Sequence, residues 1–280
     1  MTAAPIALRL GEWEVGLSGP RSIIEPTAAV LSSVALPEEG LPPLRVEIST
    51  GRARGTLGGH EAWTLDLPHR GGVPLLVGQV VGTATSILRR LLFVHAAAVE
   101  LGGRGYMIVG APGAGKTSIA AMLVREGAGY LSDEVALLDP ASGELHPFAL
   151  PLAVKPWTAK AAGRMPAVRH VASEGGLKYL LPVRRAQARV GLDTVIQLDP
   201  REAATGPVEA SRAEALLALS QHPSSFRYRG RLEDAFRGFV NLLRTARSLR
   251  IGSAHPAEAA AVIWATASQL DADAPRRTAT

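Results

Sequence analysis

The chain contains no cysteine, so neither a disulfide nor a thiolate metal site exists in its 280 residues. That fits a reducing compartment, and a cytoplasmic location is the expectation. A run of about 18 apolar residues is also missing, which predicts no membrane-spanning helix. The opening MTAAPIALRLGEWEVGL has no charged stretch ahead of a long apolar one, so no signal peptide is expected. What is present is 47% hydrophobic and 20% charged residues, the mixture of a globular chain able to bury a substantial core. The formal charge is +5. It comes without a nucleic-acid recognition motif or a basic helix interleaved with aromatics, so nucleic acid is not the expected partner.

Residues 1–72 carry short alternating runs at Ala7–Leu10, Trp13–Val15 and Leu44–Ile48, broken by Gly and Pro clusters. Period-two alternation with such breaks predicts a β-rich module. From Pro74 to Leu92 the pattern turns helical. Beyond it, strands are expected at Phe93–Leu101, Tyr106–Val109, Tyr130–Ser132, Val135–Leu138, Thr194–Leu198 and Leu249–Ile251. Helices are expected at Ser118–Glu126, Leu232–Arg247 and Pro256–Leu270. Ser211 and Glu214 have the spacing of a capping box. The expected organisation is a β-rich module over 1–72, an α/β domain over 73–270 and a disordered tail over 271–280.

The stretch Gly110-Ala111-Pro112-Gly113-Ala114-Gly115-Lys116-Thr117 fits the phosphate-binding pattern G-x-x-x-x-G-K-[ST]. Its glycines let consecutive N–H groups turn inward around phosphate oxygens. Lys116 reaches the β- and γ-phosphates, Thr117 offers a hydroxyl to Mg²⁺, and the helix opening at Ser118 points its positive end at the anion. These nine residues form the expected nucleotide site, for ATP or another nucleoside triphosphate. Lys116 is expected to face solvent at the loop.

A phosphate-binding loop does not name a reaction. The guanine-specificity pattern N/TKxD is missing, which argues against a GTPase. Asp133 and Glu134 follow Lys116 by one helix and one turn, which predicts them on the strand next to the loop strand, close to the γ-phosphate. Asp199 could end an acidic strand of the kind motor ATPases use, but Gln197 and Pro200 favour a plain strand end. His95 is expected on the strand that pairs with the one feeding the loop, at the same mouth as Asp133. There a histidine can share or relay a proton near neutral pH; the alternative is an ordinary core or surface histidine. Lys155, Lys160, Arg164, Arg169, Lys178, Arg184, Arg185 and Arg189 gather against one acid, Glu174. They read either as a solvated face or as a flap meeting phosphates or an acidic substrate. Arg227, Arg229 and Arg231 read as solvated, with charge neutralisation in a transition state as the alternative.

The ordered set of His95-Ala-Ala-Ala-Val99, the loop from Gly105 to Thr117, and Gly129-Tyr-Leu-Ser-Asp133-Glu134 resembles the catalytic domain of HPr kinase/phosphorylase. It is most similar to the divergent HPr-kinase-related serine kinases, some of which modify peptide natural-product precursors such as lasso peptides. The resemblance covers about residues 93 to 140. It implies an α/β P-loop kinase domain of the HPr-kinase type after the N-terminal β-rich module. It also implies ATP and Mg²⁺ as cofactors, and a serine or threonine on a protein or peptide as acceptor. Carried over by position, Asp133 takes or orients the proton of the attacking hydroxyl, His95 supports it, and Glu134 helps Thr117 hold Mg²⁺. Lys155 resembles a lysine that related kinases carry after the phosphate-loop sheet, and it reads either as a phosphate clamp or as an ordinary surface lysine. The family usually has two aspartates where this chain has Asp133-Glu134, and its C-terminal loop motif is not recognisable here. Phosphorylase activity, hexameric assembly and the phosphocarrier HPr as substrate are therefore not carried over. A small-molecule kinase, or a nucleotide-gated regulatory module without phosphotransfer, are the alternatives. The oligomeric state is left open.

Overall fold

The computed structural model describes residues 4–34, 36, 40–68, 72–163, 169–173, 176–181, 186, 188–203, 206–220 and 232–272. It is a mixed α/β structure with an N-terminal five-stranded sheet and a larger mixed sheet. The first part comprises β1 (Ile6–Leu10), β2 (Trp13–Ser18), α1 (Arg21–Leu31), β3 (Leu44–Ser49), β4 (Arg52–Leu57), β5 (His60–Asp66) and α2 (Gly72–Ile87), with strand order β1-β2-β3-β4-β5. Alternation is strict in β3, where Leu44, Val46 and Ile48 are buried between exposed neighbours.

Helix α1 lies outside the sequence expectation of a β-rich module, and it carries Pro26 in its interior, a residue that ordinarily interrupts a helix. Its buried residues Ile24, Thr27, Ala28 and Leu31 nevertheless keep helical spacing. The Thr27 hydroxyl donates to the Ile23 carbonyl at 2.8 Å. Helix α2 puts Leu76, Val80, Ala84 and Ile87 into the core that also holds Trp13, Leu17, Leu44 and Val46. The Trp63 indole of β5 donates to Thr83 of α2 at 2.9 Å. By packing, α2 therefore belongs with the N-terminal sheet.

The second part runs β6 (Leu92–Val94), β7 (Ala97–Leu101), β8 (Arg104–Val109), α3 (Lys116–Arg125), β9 (Gly129–Ser132), β10 (Ala136–Leu138), β11 (Glu144–His146), β12 (Leu152–Val154), α4 (Pro156–Ala161), β13 (Arg169–Ser173), β14 (Gly176–Leu181), β15 (Val190–Asp199), β16 (Val208–Glu209), α5 (Arg212–Ser220), α6 (Leu232–Thr245), β17 (Arg247–Gly252) and α7 (Pro256–Ala272). The large sheet has the order β6-β10-β11-β15-β8-β7-β9, with β17 on β15 and β16 on β17. β12, β14 and β13 form a small separate sheet. One core packs α3 and α7 against the large sheet. Another packs Ala215 and Leu219 of α5 with Phe239, Leu242 and Leu243 of α6.

Three further details of the fold differ from the sequence expectations. The strand expected over Phe93–Leu101 is broken at His95–Ala96: β6 pairs with β10, whereas β7 pairs with β8 and β9. Asp133 and Glu134 follow β9, which is not next to the loop strand, because β7 lies between β8 and β9. The segment 271–280 does not begin as a tail, since α7 continues through Ala272; residues 273–280 lie outside the described residues. The capping box is formed as expected. The Ser211 N–H donates to Glu214 at 2.7 Å and the Glu214 N–H to the Ser211 hydroxyl at 3.2 Å. Hydrogen bonds from the Ser211 hydroxyl and then its N–H hold the exposed Glu214 carboxyl below its ordinary range.

Candidate active site

β8, β15 and β17 run parallel, and their carboxyl ends form one edge, the place where open α/β sheets bind ligands. The chain leaves β8 at this edge and enters the glycine loop. Gly113 and Gly115 have φ of 83° and 98°, which side-chain-bearing residues rarely adopt. The Ile119 N–H then bonds the Gly115 carbonyl at 2.9 Å, and α3 begins. A remote segment braces the loop. Ser253, just past β17, donates its hydroxyl to the Ala114 carbonyl at 2.9 Å. The Pro256 ring of α7 lies against Gly115.

Lys116 does not face solvent as expected. It is only 7% exposed, and its Nζ donates to the carbonyls of Gly110 at 2.8 Å and Ala111 at 3.3 Å. The loop curls its own carbonyls over the first turn of α3, so the ammonium is satisfied inside rather than by water. Burial pushes this ammonium below the ordinary lysine range, and the Glu134 carboxylate pulls it part of the way back.

The loop opens into a cleft of about 300 Å³. Pro112, Gly113, Gly115, Lys116, Thr117 and Ser118 line it from the loop and α3, together with His95, Asp133 and Glu134. Ala153, Val154, Lys155, Trp157 and Thr158 complete the lining from β12 and α4. Gly110, Ala111 and Ala114 contribute as the carbonyls just described. The break at His95 and the turn after β9 deliver imidazole and carboxylates to one place. His95 Nδ1 lies 3.0 Å from the Glu134 main-chain oxygen and 3.9 Å from its carboxylate. A carbonyl can only accept, so Nδ1 carries a proton in that bond.

Asp133 is 5% exposed. The Tyr130 hydroxyl donates to its Oδ1 at 2.5 Å, a distance typical of bonds to a charged acceptor. Tyr130 is three residues upstream and fully buried, so its ring is fixed by the core. It therefore fixes the carboxylate in turn. Tyr130→Phe is expected to cost about 1.5–3 kcal/mol of stability, the range for a hydrogen bond to a charged group, as denaturant melts will read; an unchanged melt would mean the bond contributes nothing.

Among the described residues, no three His, Asp or Glu side chains gather into a metal cage. Mg²⁺ needs no such cage when substrate phosphates supply part of its shell. The Thr117 hydroxyl and the Glu134 carboxylate are hard oxygen donors that fit it. Asp199 ends β15, and its carboxylate accepts the Arg201 N–H at 2.9 Å, the local bond of a turn. Gln197, polar in mid-strand, is satisfied by Ser248 at 3.1 Å.

Of the basic segment, Lys155 reaches the cleft, and Arg189 pairs with Glu144 at 3.4 Å. Arg164, Arg184 and Arg185 lie outside the described residues, as do Arg227, Arg229 and Arg231. The side chains of Arg169 and Lys178 are likewise not described. Among the described residues no helix is long and apolar enough to cross a membrane.

No protein-family model matches this chain, and no curated protein matches it. Among solved structures, the Hpr(Ser) kinase/phosphatase from Coxiella burnetii is similar over 65% of this chain and 98% of that one. The identity is 11% and the TM-score 0.30. A likeness of that degree assigns no activity, and what can be said of function rests on the cleft itself.

Proposed function

We propose that this protein is a kinase that transfers the terminal phosphoryl group of ATP to a serine or threonine hydroxyl of a protein or peptide. A peptide natural-product precursor is one acceptor of this kind. The observation that carries the reading is the shared cleft. It holds a glycine loop with Lys116 and Thr117 at its helix start, and a buried, tyrosine-bonded Asp133 beside Glu134 and His95. A loop alone would serve binding or slow hydrolysis; a fixed carboxylate in the same cleft supplies what an incoming hydroxyl needs.

The loop N–H groups and Lys116 hold the phosphates, and positioning with charge neutralisation provides most of the rate. Thr117 and Glu134 would hold Mg²⁺, which would supply charge neutralisation at the phosphate oxygens. The acceptor hydroxyl gives its proton to Asp133 as its oxygen bonds to the γ-phosphorus. The bond from that phosphorus to the bridging β–γ oxygen breaks, and ADP leaves. His95 steadies the acidic pair through Glu134.

The test is transfer from γ-labelled ATP into a native lysate and a serine peptide library, with Asp133→Asn as control. Label on serine or threonine, lost in the control, supports the reading. Label only in the small-metabolite fraction would make this a small-molecule kinase. Bound nucleotide with no phospho-product would make it a nucleotide-gated module.

A further inference from the structure

Trp157 is 51% exposed, although water contact is unfavourable for so large an apolar surface. It belongs to the first turn of α4, and it is the one aromatic ring other than the His95 imidazole among the described residues lining the cleft. Its placement is rigid. Next to it, the buried Thr158 hydroxyl bonds Ser118 of α3 at 3.0 Å. At the far end of α4, Arg125 of α3 donates to the Ala161 carbonyl at 2.9 Å. Helix α4 is thus fastened to the phosphate-loop helix near both ends, with the indole left uncovered.

The direction of the nucleotide follows from the loop. Lys116 and Thr117 serve the β–γ end, where the acidic pair also stands. Ser118 is the next residue, and its hydroxyl holds the turn carrying Trp157; with the γ end at Lys116, Thr117 and the acidic pair, the rest of the cleft lining, from β12 and α4, is what remains for the nucleoside. The nucleoside therefore emerges beside α4.

From this we propose that Trp157 is the nucleobase platform of the site, stacking the base of the bound nucleotide. The proposal rests on the nucleotide reading given above and adds the subsite for its base. An exposed ring on a fastened turn stacks a base with little ordering cost. The acceptor peptide is the other candidate for the indole, but its hydroxyl has to reach Asp133 at the γ end, not the end held by Ser118.

Calorimetry of the full chain with Mg²⁺-ATP and with Mg²⁺-tripolyphosphate, which has no base, separates these possibilities. Trp157→Ala is expected to weaken ATP about tenfold or more and to leave tripolyphosphate unchanged, with Trp157→Phe in between for ATP. Because the indole is half exposed, thermal midpoints should stay close to wild type. Equal weakening of both ligands, or of neither, overturns the platform. An unchanged ATP affinity with a raised KM for the acceptor would give the ring to the peptide instead. If wild type binds neither ligand, or if Lys116→Ala binds both as well as wild type, the nucleotide reading itself falls.

Discussion

Lys116→Ala is expected to lower phosphoryl transfer on the order of 10²–10³-fold, the usual loss when one fixed charge-stabilising donor is removed. It is also expected to weaken Mg²⁺-ATP binding. The fold should survive with a moderate stability change of mixed origin. The Gly110 and Ala111 carbonyls lose the ammonium, which costs about 1–3 kcal/mol if water does not replace it. Against that, a buried cation is removed. The two contributions separate by pH. The folded-state ammonium titrates below its unfolded value. In the window from that lowered value up to about 10.4, the unfolded chain binds the extra proton. Stability of wild type should therefore rise with pH through this window relative to the alanine variant. Denaturant melts of both proteins across the alkaline range check this. Equal turnover, or parallel stability profiles, would place Lys116 outside the site or outside the buried network.

The second large effect is expected at Asp133. Asp133→Asn keeps an oxygen able to accept the Tyr130 hydroxyl, so the local shape is retained. It loses the proton acceptor, and turnover should fall about 10²-fold or more with ATP affinity roughly kept. Glu134→Gln should behave differently. Its carboxylate is exposed and is assigned to the metal, so its loss should raise the Mg²⁺ concentration needed for half-maximal rate. Saturating Mg²⁺ should restore much of the glutamine variant's rate and none of the asparagine variant's. Identical Mg²⁺ titrations for the two would refute this division of roles.

The parts of the site that were legible in the sequence are those carried by short spacings. The glycine loop needs consecutive residues with special backbone angles, so Gly113, Gly115 and Lys116 announce it directly. Most of the large sheet was legible through its apolar runs, but the short β11 and β16 were not and β6 and β7 read as one strand; the capping box was legible through two residues. What was not legible depends on contacts between distant positions. Ser253 has no local mark as the brace of Ala114. Tyr130 reads as one more core residue of a strand until its hydroxyl is seen on Asp133. The intervening strand β7 could not be inferred from the length of one helix and one turn, because a connection of that length can reach either a first or a second neighbour. Lys116 misled for a physical reason. Its charge suggests solvent, but the loop carbonyls that curl over it are a property of the backbone path, which side-chain identity does not report.

The core of the N-terminal sheet does not end with its own residues. Phe93 and Leu137, on the paired strands β6 and β10, are buried in the same cluster as Trp13 and Leu44. Phe93 is two residues from His95, and Leu137 is three from Glu134. The module's core thus underlies the cleft: Phe93 and Leu137 tie it to the segments that carry the imidazole and the carboxylates. A shortened chain beginning at β6 would keep every residue of the cleft and lose the surface that holds one side of it still.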